Sequence, residues 1–244
     1  TGGVGSSAEN EGFTEDYDLP NLSAYSETCA SVGTIQWMKE MFCADKEPIN
    51  LDVMEKIMYN ALLSGVSLDG NQFNYTNPLE SEGNHHRQEW FSCACCPPNL
   101  ARCISSVSGT CFAWEKNENG GINLFCCNYM AGTLKLKEGR IWLKEETLYP
   151  WEGDVCISIE SSAQTDQLFL RIPGWCKRWS GYIVQNGVRN KLDGMQGWVG
   201  PIEMKPGIQI YLNFEMNVNL VAADKRVTDC IGKRAIQRGP LIYC

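Results

Sequence analysis

Along the first half of the chain, apolar residues recur at helical spacing. In ETCASVGTIQWMKEMFC, Ala30, Ile35, Trp37, Met38, Met41 and Phe42 approximate a 3.6-residue period and predict an amphipathic helix. In NLDVMEKIMYNALLSG, Leu51, Met54, Ile57, Met58, Ala61 and Leu62 form a second stripe, with Asn50 as N-cap and Gly65 as stop. A third helix is expected after Cys96, through NLARCISSV, because proline is well tolerated in a first helical turn and Pro97 and Pro98 stand there. From about residue 122 the period shortens to two. TLKLKEGRIWLKEE, DVCISIES, DQLFLRIP, GYIVQNG and GIQIYLNFEM alternate apolar and polar residues between Gly and Pro, which suits an antiparallel β-sandwich.

The expected fold is therefore α+β: a helical part over residues 1–118 and a β-sandwich over 119–244, with WEKNENGG (114–121) as the join. Three helices cannot close a barrel around a site, so the helical part reads as lacking partner helices upstream. The closing GPLIYC reads as an unfinished strand, and the whole chain as a fragment.

Composition narrows the classes. Of the 244 residues, 43% are hydrophobic and 20% charged, ordinary for a globular protein. The net charge of −8, with no Lys/Arg block, argues against a nucleic-acid or anionic-membrane partner. No apolar run approaches the roughly 18 residues of a membrane span. The opening TGGVGSSAEN carries no charged-plus-apolar signal pattern. Thirteen cysteines, an odd number, fit a largely reduced protein better than a secreted disulfide scaffold, which is shorter and denser in cysteine. A cytoplasmic location is the expectation.

The candidate chemistry centres on FSCACCPPN (91–99). Cys95 and Cys96 are adjacent, and a disulfide between neighbours is strained. Buried thiols, halves of long-range disulfides and metal-bound thiolates remain open. Glu27 and Cys29 in SETCAS add a carboxylate and a thiol able to complete a tetrahedral metal set with Cys95 and Cys96. The Cys-Cys step stands just before a predicted helix, whose exposed N–H groups favour anionic sulfur. Glu11, in a Gly-flanked turn, is a candidate proton donor if the fold returns it to the thiols; otherwise it belongs to a solvated acidic loop. Tyr75 and His86 are candidate substrate contacts, and Trp90 reads as core. Cys126 and Cys127 would point to opposite faces of a strand, which disfavours a shared metal.

The series GGVGS, EGF, DYDLPN, ETCASVG, SLDGNQF, WFSCACCPPNLAR, LRIPGW and QRGPLIYC, in order from Gly2 to Cys244, resembles the β-L-arabinofuranosidases of glycoside hydrolase family 127 and the related family 146. The resemblance implies an (α/α)6 barrel followed by β-sandwich domains, and a zinc-thiolate active site. It implies Glu27, Cys29, Cys95 and Cys96 as zinc ligands, Cys95 as nucleophile, and Glu11, sixteen residues before Glu27, as general acid/base. It also implies a small oligosaccharide or glycoconjugate as substrate, with the question of a homodimer open. Two other readings stand beside it: the same fold acting on another sugar, and a non-catalytic domain with a closed structural zinc site. Glu11 separates the second, since a structural site has no use for a proton donor.

Overall fold

The computed structural model describes residues 1–136, 140–194 and 197–243. Among the described residues three α-helices are present: α1 (Thr28–Asp45), α2 (Pro48–Lys56) and α3 (Cys96–Ser105). Helix α2 continues through a π turn (Ile57–Leu62) and a 3-10 turn (Leu63–Gly65), and the whole predicted stripe from Leu51 to Leu62 is buried. Its start differs from the expected Asn50 cap. Pro48 opens the helix, and Asn50 lies in the first turn with its N–H on the Glu47 carbonyl, 3.2 Å away.

Helix α1 is rotated relative to the sequence expectation. Thr28, Ser31, Val32, Ile35 and Phe42 are buried, whereas Trp37 is 63% exposed and Met41 is also exposed. The cause is a polar anchor. The Thr28 N–H bonds the Tyr75 carbonyl at 2.9 Å and its hydroxyl bonds the Asn74 carbonyl at 2.8 Å, so Thr28 must face inward. Gly65 then permits a close crossing: a Cβ there would lie 2.9 Å from both Leu100 and Thr28. This brings α1 against α3, which carries Cys96, Pro97 and Leu100 on its buried side.

Thirteen strands follow among the described residues: β1 (Phe112–Lys116), β2 (Ile122–Cys126), β3 (Gly132–Leu136), β4 (Ile141–Thr147), β5 (Asp154–Ser161), β6 (Gln167–Ile172), β7 (Trp179–Gln185), β8 (Val188–Lys191), β9 (Gly197–Glu203), β10 (Gln209–Phe214), β11 (Val218–Val221), β12 (Ala235–Arg238) and β13 (Leu241–Tyr243). They form sheets ordered β1-β2-β6-β9, β3-β4-β5-β10-β7-β8 and β11-β12-β13. The expectation of purely antiparallel pairing needs correcting, because β2 and β6 run parallel. The chain leaves β2 to build β3, β4 and β5 in another sheet before returning, and such a crossover allows strands to run the same way.

The chain divides into two compact units. One comprises Thr1–Asp45, Val53–Ser106 and the residues from Val218 onward; the other comprises Lys46–Asp52 and Val107–Asn217. The β11-β12-β13 sheet therefore groups with the helical residues, a placement that strand periodicity does not carry. No described helix is long and apolar enough to cross a membrane.

Within the β-rich unit, Ile141, Leu143 and Glu145 of β4 point inward together. Glu145 is a buried acid on a core face. It accepts the Met130 N–H at 2.8 Å and lies 3.9 Å from the Cys126 sulfur. Burial pushes its carboxyl up to about 8 from the ordinary 4.5. Below 4.5 the group is neutral folded or unfolded, and it costs nothing. As pH rises toward about 8 only the unfolded chain ionises it, so stability falls by at most about 1.4 kcal/mol per pH unit and then levels off. Glu145→Gln should remove that slope in urea unfolding series collected between these pH values. A slope that persists in the variant would show that Glu145 is not its source.

Candidate metal centre

Four donors from two distant segments converge. Glu27, Cys29, Cys95 and Cys96 each present one ligand atom, and all four atoms lie within 4.8 Å of one another. The Glu27 carboxylate is 3.8 Å from the Cys95 sulfur and 3.6 Å from that of Cys96, and the two sulfurs are 3.8 Å apart. Cys29, Cys95 and Cys96 are in no disulfide, so of the three readings left open by the sequence the disulfide halves do not describe them.

Local structure explains the convergence. Ser26 has φ of +37°, and this kink precedes α1, so Glu27 and Cys29 splay into one space. The kink is held by the Ser26 N–H on the Gly5 carbonyl at 2.9 Å and by the Asn77 amide on the Ser26 carbonyl at 2.9 Å. Cys95 caps α3 and Cys96 is its first residue, with Pro97 and Pro98 completing the turn. Helix N-termini favour anionic ligands there.

The electrostatics follow from crowding. Burial raises the Cys29 and Cys96 thiols above their ordinary range. Burial also pushes Cys95 upward, but hydrogen bonds from Tyr75, Cys29 and Cys96 outweigh it and leave Cys95 below its ordinary value. The Tyr75 hydroxyl lies 3.4 Å from the Cys95 sulfur; that bond, followed by burial, keeps the phenol protonated. Among the described residues none of the four donors has a Lys, Arg or His partner. A cluster of potential anions lacking a cationic side chain is chemically suited to a metal cation.

The remaining candidates are placed as follows. Tyr75, His85 and His86 line one cavity of about 410 Å³ with Asn74, Gln88 and Phe91. Tyr75 thus touches both this cavity and Cys95, while His86 is exposed at the cavity and makes no recorded contact with the donors. Glu11 lies in a turn closed by the Ser6 N–H on the Gly12 carbonyl at 2.7 Å, and adopts φ of +50°. Among the described residues its link toward the cluster is Tyr25, whose hydroxyl donates to a Glu11 oxygen at 3.0 Å and also neighbours Glu27. Trp90, read as core, is instead exposed and meets Phe73 edge-on. Cys93 is exposed, and Cys126 and Cys127 are buried elsewhere.

Sequence reasoning missed two contributors. Tyr25 stands two residues before Glu27, a spacing that shares a face in extended chain. Asn99 stands one helical turn after Cys95 and Cys96, and its amide donates to the Cys29 sulfur at 3.0 Å.

The helical unit carries a cysteine-rich cluster able to hold a metal ion, and the other unit is β-rich. The family model for the β-L-arabinofuranosidase GH127 catalytic domain matches residues 1–109, and that for the GH127 middle domain matches 123–216. The chain belongs to glycoside hydrolase family 127. A non-reducing end β-L-arabinofuranosidase of Bifidobacterium longum is 36% identical over all of this chain and 39% of its own length. A solved GH127 β-L-arabinofuranosidase from Geobacillus stearothermophilus is 38% identical with a TM-score of 0.88, and a solved GH127 β-arabinofuranosidase is 35% identical with a TM-score of 0.90. Each covers 100% of this chain, which spans 40% of either.

The geometry predicts one bound metal ion per chain, lost in Cys29→Ala. Asn99→Ala should leave the donors in place and weaken metal affinity about ten- to hundredfold in a chelator competition. An unchanged affinity would show that the Asn99 amide does not support the Cys29 sulfur.

Proposed function

We propose that this chain carries the catalytic centre of a zinc-thiolate retaining glycosidase that releases β-L-arabinofuranose from a small oligosaccharide or glycoconjugate. The observation that carries the reading is the Glu27, Cys29, Cys95 and Cys96 cluster in a chain of this family. The residues fit zinc. Tetrahedral zinc with Zn–S near about 2.3 Å separates two sulfurs by about 3.8 Å, and the Cys95 and Cys96 sulfurs are 3.8 Å apart. The family membership also supports a complete (α/α)6 barrel in the longer protein, with residues 119 onward beginning its β-sandwich part. The exposed Trp37 and Met41 on α1 are then faces for neighbouring barrel helices.

When bound, zinc keeps the Cys95 sulfur ionised at neutral pH and improves it as a leaving group. The Tyr75 hydroxyl, 3.4 Å away, orients that sulfur toward the cavity it lines with His86. Cys95 attacks the anomeric carbon, forming a C–S bond as the bond to the leaving oxygen breaks, and Glu11 gives that oxygen its proton. Glu11 then takes a proton from water, whose oxygen bonds the anomeric carbon as the C–S bond breaks. Two inversions give net retention, with sulfur in the place of one of the two carboxylates that ordinary retaining enzymes use. Tyr75 and His86 hold the sugar.

The test uses the full reading frame that carries this chain. Cys95→Ser should abolish turnover on every arabinofuranoside. Glu11→Gln should still accept an activated aryl glycoside, whose leaving group needs no proton, and accumulate a glycosyl adduct on Cys95 in peptide mass spectrometry. An adduct mapping to Glu27 or another carboxylate would overturn the cysteine nucleophile.

A further inference from the structure

Glu11 is exposed and stands on a turn, with a backbone φ of +50°. A general acid must nevertheless present one particular oxygen to the leaving group. Tyr25 is its hydrogen-bonding partner among the described residues, and Tyr25 is buried where Glu11 is exposed. The tyrosine is 5% exposed and its ring lies 6.5 Å from that of Tyr75. Gly5, at φ +98°, crowds the ring so closely that a Cβ there would stand 3.1 Å from it. The Tyr25 carbonyl accepts the Asn77 N–H at 3.3 Å.

We propose that Tyr25 is a positioning residue for Glu11: its hydroxyl occupies one carboxyl oxygen and leaves the other to carry the transferred proton. The inference rests on the acid/base reading of Glu11 given above. A carboxylic acid has one carbonyl-type oxygen that accepts and one hydroxyl oxygen that donates. With the Tyr25 hydroxyl donating at 3.0 Å, the accepting oxygen is spoken for and the proton resides on its twin. The same bond holds the ionised carboxylate in place for the water step. Glu27 is the second carboxylate neighbouring this hydroxyl, and one hydroxyl proton serves only one of them at a time. The competing role, support of Glu27 and the metal, is therefore an outcome that the test must separate.

The experiment compares wild type and Tyr25→Phe in the full reading frame, on alkyl and activated aryl β-L-arabinofuranosides, with metal content measured alongside. Loss of alignment should lower kcat/KM on the alkyl substrate at least about tenfold more than on the aryl one, because only the alkyl leaving group needs the acid. Metal content should be retained. In a Glu11→Gln background the added Tyr25→Phe change should no longer alter the alkyl-to-aryl ratio. An unchanged ratio overturns the proposal, as does equal loss on both substrates with metal released, which assigns Tyr25 to Glu27. If wild type cleaves neither substrate, the functional reading has failed, and crystal structures decide the positioning claim separately: a displaced Glu11 in Tyr25→Phe supports it, and an unmoved Glu11 overturns it.

Discussion

Three thiols and a carboxylate within 4.8 Å of one another cannot all ionise without a cation among them. Each is partly or fully buried, and no basic side chain is recorded beside any of the four among the described residues. Like charges so placed repel strongly in a poorly screened environment. Without a metal the cluster relaxes by keeping protons, and burial holds Cys29 and Cys96 protonated. A divalent ion held by these four residues would exchange those protons for metal–ligand bonds, and its affinity would then add to the stability of the fold around it. Much of the helical unit can be read as scaffolding for this exchange.

The scaffolding is mostly backbone. Glu27 and Cys29 reach the site because Ser26 is kinked, and the kink is held by hydrogen bonds to Gly5 and Asn77. Asn77 also donates to the Thr28 hydroxyl at 3.0 Å, while Thr28 is tied to the 74–75 backbone that presents Tyr75. The metal donors and the cavity-lining tyrosine are thus set by one hydrogen-bonded loop. Gly65 lets α1 and α3 approach closely enough for their N-termini to share a ligand space. This division of labour, with rigid elements holding reactive atoms, is what a preorganised site requires.

What could be read in the sequence follows the range of each interaction. The Cys95-Cys96-Pro97-Pro98 run announces both the thiols and the helix behind them, because capping and proline placement are local. The alternating runs from Gly132 to Phe214 announce their strands for the same reason. Trp37 and Met41 mislead, since helical periodicity does not count the hydrogen bonds that turn Thr28 inward. The parallel β2–β6 pairing and the buried Glu145 depend on partners far along the chain, and no short window contains them. Tyr25 and Asn99 escape for a related reason: each acts through another site residue, and only the folded distances reveal it.

The central claim is that Glu27, Cys29, Cys95 and Cys96 close on a single metal ion. The most direct measurement is X-ray absorption at the metal edge on the purified full-length protein. The account predicts a four-coordinate ion with three sulfur neighbours near about 2.3 Å and one oxygen near about 2.0 Å. A shell of oxygen and nitrogen alone, or fewer than three sulfurs, would contradict it.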